Sequence, residues 1–124
     1  MRIISGKYRG KKLQGFDIDG TRPTMDRVKE SLFAMIQIEI EDSKCLDLFA
    51  GSGALGLEAI SMGAKSCDFI DHNQIAIKTI KKNTENIEEP FKIINMDYKK
   101  YLKETNKKYD IIFLDPPYKN NLLN

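Results

Sequence analysis

A glycine-rich segment in the middle of the chain, residues 44–64 (KCLDLFAGSGALGLEAISMGA), restricts the fold more than any other stretch. An apolar run breaks at Gly51, Ser52 and Gly53, and apolar residues then recur with helical spacing as far as Gly63. This pattern predicts a strand, a tight turn and a helix, with Gly63 as the left-handed residue past the helix end. Such a unit opens a ligand site at the helix N-terminus.

The glycine spacing leaves the ligand class open. Gly51, Gly53 and Gly56 match G-x-G-x-x-G, and Asp71 follows at the separation expected of a ribose-binding acid. The pattern therefore fits NAD, although the glycines themselves indicate only a turn without side chains on which a nucleoside can lie. A phosphate-binding P-loop is excluded because no Lys-Ser or Lys-Thr pair follows the glycines.

The remaining pattern predicts alternating strands and helices. A helix begins near Pro23 and buries a face that is expected to contain Val28, Leu32, Phe33 and Ile36. Strands are predicted from residue 45, at 66–71, at 91–96 and at 109–114, and the helices between them at 54–62, 73–86 and 98–105. This alternation is typical of an α/β fold with a parallel sheet and right-handed crossovers.

Acidic residues stand where three of these strands end, namely Asp71, Asp97 and Asp115. Ligands of open α/β sheets bind at that edge, so Asp71 is expected to accept hydrogen bonds from a ribose and Asp97 from an adenine amino group. Tyr98 is placed to cover the adenine ring. Each acid could instead cap a helix or be solvated. His72 is the one histidine of the chain, so no metal site is expected.

The last strand leads into the tetrapeptide Asp115, Pro116, Pro117 and Tyr118, which suits the methylation of a planar amine. The lone pair of such an amine is delocalised, and two acceptors can direct it toward an electrophilic methyl group. Asp115 can supply one acceptor and the carbonyl of Pro116 the other, while the proline rings fix the direction of that carbonyl. Tyr118 can stack on a base. NAD chemistry has no use for this tetrapeptide.

The N-terminal segment is basic. Residues 1–29 carry eight Lys or Arg against three acids, so the rest of the chain is mildly acidic although the whole has a net charge of +2. Residues 2–13 are predicted to form a small β-hairpin that grips phosphates and stacks on a base, and an ordinary solvated basic strand is the alternative. The candidate RNA-binding residues are Arg2, Lys7, Tyr8, Arg9, Lys11, Lys12, Arg22 and Arg27.

Length and composition favour one globular domain in the cytoplasm. The 124 residues are 41% hydrophobic and 31% charged, and no apolar run approaches the roughly 20 residues of a membrane span. The N-terminus has no apolar stretch long enough for a signal peptide. Cys45 and Cys67 are expected to be free, buried thiols.

Together these motifs carry a family resemblance. The chain resembles class I S-adenosylmethionine-dependent methyltransferases of the amino-methylating type. More closely, it resembles the RsmD family, which methylates the exocyclic N2 of a guanine in 16S ribosomal RNA. The matching stretches are MRIISGKYRGKKL, TRPTMDRVKESLF, DLFAGSGALGLEAISMGA and DPPY.

The resemblance implies S-adenosylmethionine as cofactor and a Rossmann-like sheet of strand order 3-2-1-4 with helices on both faces. It implies that residues 49–53 contact the methionine part of the cofactor, that Asp71 takes the ribose and Asp97 the adenine, and that residues 115–118 hold the guanine. The candidate cofactor-binding residues are Asp47, Phe49, Ala50, Gly51, Ser52, Gly53, Asp71, His72, Asp97 and Tyr98.

The expected organisation is a basic hairpin and loop at residues 1–22, followed by a partial methyltransferase domain at residues 23–124. The expected partner is ribosomal RNA or an assembling small ribosomal subunit, with no metal and no membrane. Members of the family continue past the tetrapeptide, so the chain is expected to be a fragment whose fourth strand is an edge open to pairing between chains. An NAD-dependent oxidoreductase and a non-catalytic RNA-binding module remain as alternatives.

Overall fold

The computed structural model describes residues 1–15 and 22–115, and the predicted alternation of strands and helices is present in it. The elements in chain order are α1 (Arg22–Ile40), β1 (Lys44–Asp47), α2 (Ala54–Ser61), β2 (Ser66–Asp71), α3 (Gln74–Asn83), β3 (Phe91–Asn95), α4 (Tyr98–Glu104) and β4 (Ile111–Phe113). The four strands form one parallel sheet of order β3-β2-β1-β4. The predicted α/β fold and strand order are confirmed.

Side chains of the strands alternate between two faces of the sheet. Cys45 and Cys67, which are paired in register on β1 and β2, point into the larger core, together with residues of α1, α2 and α3. Leu46 and Ile70 point to the other face, where Tyr101 of α4 packs on them. Helices therefore cover both faces, as expected. Both cysteines are buried as free thiols.

Residues 1–13 form a loop closed by a single antiparallel bridge instead of two paired strands; we call it the hairpin, and it packs on the larger core. Arg2 and Lys12 pair as an antiparallel bridge, and the backbone N–H of Ile3 donates to the carbonyl of Lys11 at 2.9 Å. Ile3 and Leu13 are buried among the side chains of the helices. The hairpin is thus built on the same apolar core as the sheet.

A buried carboxylate on α2 fastens this hairpin to the domain. Glu58 is 1% exposed and accepts hydrogen bonds from the backbone N–H groups of Ile4 at 3.0 Å and Ser5 at 2.9 Å. The ammonium group of Lys29 on α1 lies 3.3 Å from the same carboxylate. Ser61 adds a second point of attachment, because its hydroxyl donates to the carbonyl of Ser5 at 2.6 Å.

The prediction that Val28 lies on the buried face of α1 is wrong. Val28 is 58% exposed, whereas its neighbour Lys29 is 5% exposed. Lys29 can be buried because its ammonium group pairs with Glu58 and donates to the carbonyl of Arg2 at 3.1 Å. The helix is also irregular at Ile36, where φ is −111° and ψ is 15°.

Helix ends follow from local chemistry. Asn73 caps α3, since its side chain accepts from the backbone N–H groups of Ile75 at 2.8 Å and Ala76 at 3.3 Å. The helix ends at Asn83, earlier than the predicted residue 86, and Asn86 has a left-handed φ of 69°. Gly63 has a φ of 112° after α2, as predicted.

The second face of the sheet carries a polar network under α4. Asp68 is 2% exposed and accepts from the hydroxyl of Tyr109 at 2.6 Å and from the ammonium group of Lys107 at 2.7 Å. The hydroxyl of Tyr101 is hydrogen-bonded to that of Tyr109. Burial and the adjacent Asp68 charge raise the pKa of Tyr109, so its hydroxyl stays a donor.

At the end of the described sheet, β4 exposes apolar side chains. Ile112 is 48% exposed and Leu114 is 65% exposed, and β4 pairs with β1 on its other side. Pairing between chains at this strand stays a prediction. Within residues 1–15 and 22–115, no helix has the length and hydrophobicity needed to cross a membrane.

Candidate functional site

The site begins at the glycine turn, residues 49–53, between β1 and α2. Gly53 has a φ of 84° and caps α2 in the left-handed conformation, which a residue with a Cβ atom adopts only with strain. Its N–H donates to the carbonyl of Ala50 at 2.7 Å, and the N–H of Leu57 donates to the carbonyl of Gly53 at 2.9 Å. The turn therefore presents bare backbone at the start of α2.

Gly56 brings this helix close to the sheet. A Cβ atom at Gly56 would lie 2.4 Å from a ring carbon of Phe69 and 2.7 Å from the sulfur of Cys67. The N–H of Gly56 also donates to Oδ2 of Asp47 at 3.0 Å. Close packing and this hydrogen bond fix the first turn of α2 against β1 and β2.

Asp71 connects the end of β2 to the glycine turn. Its Oδ2 accepts from the N–H of Gly51 at 2.9 Å, and its Oδ1 accepts from the N–H of Asn73 at 2.9 Å. An ionised carboxylate has about four acceptor positions, so Asp71 keeps capacity for a ribose diol. The sequence predicted the contact with a ribose. It did not predict that Asp71 also holds the glycine turn in place.

Three carboxyl groups, those of Asp47, Asp71 and Asp115, lie at the ends of β1, β2 and β4, and we call this set the acidic edge. Asp47 is 1% exposed. Burial, followed by the charges of Asp115 and Asp71, raises the pKa of Asp47 to about 7. Burial also raises the pKa of Asp115. An edge of this charge favours a ligand that carries positive groups.

The adenine-side candidates lie at the start of α4. Asp97 is exposed, and its Oδ2 accepts from the backbone N–H groups of Lys99 at 3.0 Å and Lys100 at 3.4 Å. It therefore acts as the helix cap that the sequence left as the alternative, with Oδ1 outside these bonds. The ring of Tyr98 packs on that of Phe49 with centroids 4.7 Å apart. His72 is exposed beside Asp71.

Part of the predicted site lies outside the described residues, namely Pro116, Pro117 and Tyr118, together with the side chain of Arg22. Asp115 is described, and it lies directly beyond β4 at the acidic edge.

The basic residues of the hairpin divide into two groups. Lys7 pairs with Glu88 at 2.8 Å and with Glu89 at 3.1 Å. The hydroxyl of Tyr8 donates to Glu89 at 2.7 Å, and the ammonium group of Lys11 donates to a backbone carbonyl, that of Glu85, at 3.2 Å. These three side chains attach the hairpin to the segment between α3 and β3.

The second group faces a cleft of about 430 Å³ between the hairpin and α1. Arg2, Arg9 and Arg27 line it, and Glu30 lies among them. We call this the arginine cleft. Guanidinium groups bind phosphate oxygens in a bidentate manner, so the cleft has the chemistry of a site for a phosphodiester backbone. Lys12 is exposed on the hairpin beside Arg2.

Known proteins are similar in sequence to this chain. The family model described as "Conserved hypothetical protein 95" matches residues 1–124. The chain belongs to this family. The ribosomal RNA small subunit methyltransferase D of Haemophilus influenzae is 42% identical over 98% of this chain and 66% of its own length. The chain thus spans about two thirds of the length of that relative.

Solved structures show the same fold. Escherichia coli yhhF superimposes with a TM-score of 0.85 at 39% identity, over 99% of this chain and 68% of that one. The T. thermophilus 16S rRNA N2 methyltransferase RsmC, solved with AdoMet and guanosine, has a TM-score of 0.69 at 25% identity. That match covers 85% of this chain and 28% of RsmC. The resemblance to the RsmD family and to the class I methyltransferase fold is confirmed.

Two residues that attach the N-terminal segment to the domain were not predicted from the sequence. Glu58 and Asn83 are polar residues on helices, and each is almost fully buried, at 1% and 3% exposure. Neither belongs to a recognisable motif, since their partners lie on distant segments of the chain. The only sign of them in the sequence is a charged or amide residue within the apolar face of a predicted helix.

Proposed function

We propose that this chain forms the cofactor-binding and RNA-binding part of an S-adenosylmethionine-dependent methyltransferase that modifies the exocyclic N2 amine of a guanine in 16S ribosomal RNA. The observation that carries the proposal is the acidic edge beside the glycine turn, where Asp71 holds Gly51 at 2.9 Å and Asp115 follows β4. The relative from H. influenzae and RsmC support the same reaction class.

The described residues fit this cofactor. Gly51 and Gly53 hold the turn in left-handed conformations, with φ of 57° and 84°, so that its backbone can bind the methionine part, and Asp71 has acceptor capacity left for the ribose. For the adenine we infer contacts with Asp97, whose Oδ1 lies outside the helix-capping bonds, and with Tyr98. When bound, the cofactor supplies an electrophilic methyl group on a positively charged sulfur. The acidic edge complements that charge and the adjoining ammonium group.

The same edge argues against NAD. The diphosphate of NAD carries two negative charges, which Asp115 and the ionised form of Asp47 would repel at the start of α2. Residues 49–53 contain no Lys or Arg that could offset this repulsion. Electrostatics therefore favours a cationic cofactor over a dinucleotide, which the glycine spacing alone could not decide.

For the base, we infer that Asp115 and the carbonyl of Pro116 accept hydrogen bonds from the amine of the target guanine, and that Tyr118 stacks on its ring. Such contacts act by positioning, because they direct the nitrogen lone pair toward the methyl group. The choice of guanine among amino-bearing bases is supported by RsmC, which was solved with guanosine.

For the RNA, we infer that Arg2, Arg9 and Arg27 bind phosphates in the arginine cleft, with Lys12 beside them. Lys7, Tyr8 and Lys11 act mainly by attaching the hairpin, since their polar groups already bond to residues 85–89. Binding by Arg22 remains part of the proposal. Because the proposed partner is ribosomal RNA or an assembling small subunit, the proposed location is the cytoplasm.

The test is calorimetric titration of the chain with S-adenosylhomocysteine, with NAD titrated into the same preparation. We expect saturable binding of S-adenosylhomocysteine and none of NAD. Tighter binding of NAD would overturn the assignment. Binding of neither ligand would show that the described residues do not form a sufficient pocket.

A further inference from the structure

Asn83 makes contacts that neither helix formation nor the acidic edge requires. It is the last residue of α3 and is 3% exposed. Its Oδ1 accepts from the backbone N–H of Gln14 at 2.8 Å. Its Nδ2 donates to two backbone carbonyls, that of Gln14 at 2.8 Å and that of Ser52 at 2.9 Å. One buried amide thus joins the segment that follows the hairpin to the glycine turn.

These bonds use both amide protons of Asn83, so the side chain has no spare donor with which to change partner. If Gln14 and Ser52 moved apart, a buried donor or carbonyl would lose its partner, which costs more than an ordinary hydrogen bond gains. A second contact joins the turn to the hairpin directly: the hydroxyl of Ser52 lies 3.5 Å from the sulfur of Met1. The hairpin and the turn therefore hold one relative position.

We propose that Asn83 is a positioning residue that couples the hairpin to the glycine turn, so that order in the hairpin raises the affinity of the turn for its cofactor. This inference rests on the proposed function for the identity of the cofactor. Coupling between two binding sites is reciprocal. Cofactor bound to the turn should therefore slow the opening of the hairpin, and should raise the affinity for RNA by the factor by which RNA raises the affinity for cofactor. RNA held by Arg2 and Arg9 would then strengthen cofactor binding.

Two variants break the link in different ways. Asn83→Ala removes all three hydrogen bonds, whereas Asn83→Asp keeps an acceptor for the N–H of Gln14 and loses the donors to the carbonyls of Gln14 and Ser52. The matched control is Thr84→Val, at the next residue of the chain. Thr84 is equally buried, at 5% exposure, but its hydroxyl bonds only within α3, to the carbonyls of Ile80 and Lys81.

The first measurement is amide hydrogen exchange without ligand. In Asn83→Ala we expect about tenfold faster exchange at Leu13 and Gly53, relative to the amides of β2, and less than about twofold in Thr84→Val. Normalising to β2 separates a lost link from a general loss of stability. Equal acceleration at β2 in Asn83→Ala, or no acceleration at Gly53, would overturn the proposal.

The second measurement adds S-adenosylhomocysteine. We expect slower exchange at Ile3 and Gly10 in the wild type and in Thr84→Val, no such slowing in either Asn83 variant, and about tenfold weaker binding by both. Full hairpin protection in Asn83→Asp would overturn the proposal. If the wild type does not bind the ligand at all, the proposed cofactor pocket fails, while the ligand-free exchange still decides whether Asn83 links the two segments.

Discussion

Asp47 determines much of the charge at the acidic edge. Its carboxyl group is buried, accepts one backbone hydrogen bond from Gly56, and has a pKa of about 7 instead of 3.8. Between these two values the folded state binds more protons than the unfolded state, so the free energy of unfolding falls as pH rises through this window. Above about pH 7 Asp47 is ionised in both states, and the folded state carries the full free-energy cost of its buried charge.

Asp47→Asn should therefore stabilise the protein at high pH. The amide oxygen can still accept from Gly56, and no charge is buried, so we expect the gain in free energy of unfolding over the wild type to be about 2 to 4 kcal/mol larger at pH 8 than at pH 4.5. The gain should shrink as pH falls toward 4. Urea unfolding at pH 4.5, 6 and 8 measures it, with Asp42→Asn on an exposed turn as control. A gain that does not depend on pH would contradict this account.

Asp115→Asn should separate chemistry from cofactor binding. The amide keeps the shape of Asp115 but loses the charged acceptor, so we expect methyl transfer to small-subunit ribosomal RNA to fall by about 10² or more. The affinity for S-adenosylhomocysteine, which lacks the sulfonium charge, should fall far less than the rate of transfer does. Asp110→Asn, at the start of the same strand, is the control. Parallel loss of binding and transfer would show that Asp115 is structural.

At the scale of elements, α1 is placed by a buried ion pair in addition to its apolar face, on which Phe33 and Ile40 are buried. Lys29 and Glu58 approach to 3.3 Å at 5% and 1% exposure of their side chains. Such a pair adds little net stability compared with apolar residues, yet removing one partner leaves a buried charge. The pair therefore acts to fix how α1, α2 and the hairpin meet.

Lys29→Met should cost about 3 kcal/mol of unfolding free energy, because Glu58 would keep its charge without its cation. Val28→Ala, one position away, should cost less than about 0.5 kcal/mol, since Val28 is largely exposed. Equilibrium urea unfolding of both variants checks this. If Val28→Ala lost more unfolding free energy than Lys29→Met, Val28 would belong to the buried face of α1 after all, as the sequence predicted.

Local patterns were enough to predict the elements but not their contacts. The strands, the left-handed Gly63 and the glycine turn follow from hydrophobic period and backbone sterics, which act over a few residues. The burial of Lys29 could not be predicted, because it depends on Glu58 in another helix. Asp97 caps α4 by local bonding, yet the same pattern also fits a ligand contact, so sequence left both roles open.

At the scale of the whole molecule, charge is divided between two regions. The acidic edge lies at the ends of β1, β2 and β4, whereas the arginine cleft lies between the hairpin and α1. The proposed cofactor site and the proposed RNA site thus lie on different surfaces. The sequence showed the basic N-terminus, but only the fold separated the arginines from Lys7 and Lys11, which bond to residues 85–89.

The double variant Arg9→Gln/Arg27→Gln should weaken RNA binding and reduce its dependence on salt. Two lost phosphate contacts should lower the slope of log affinity against log salt by about 1.4 for single-stranded RNA. Lys78→Gln/Lys92→Gln removes the same charge from outside the cleft and is the control. Filter binding to small-subunit ribosomal RNA at several salt concentrations measures both. Equal slopes in the two double variants would exclude the cleft as the RNA site.

The attachment of the hairpin to α2 also affects the order in which the chain can fold during synthesis. Residues 1–13 leave the ribosome before Glu58 and Ser61, which hold Ser5 in the folded protein. At roughly 5–20 residues per second, the hairpin waits about 3 to 10 s for these partners. During that time Ile3 and Leu13 have no core to enter. The hairpin therefore stays without its attachment to the domain until α2 has emerged.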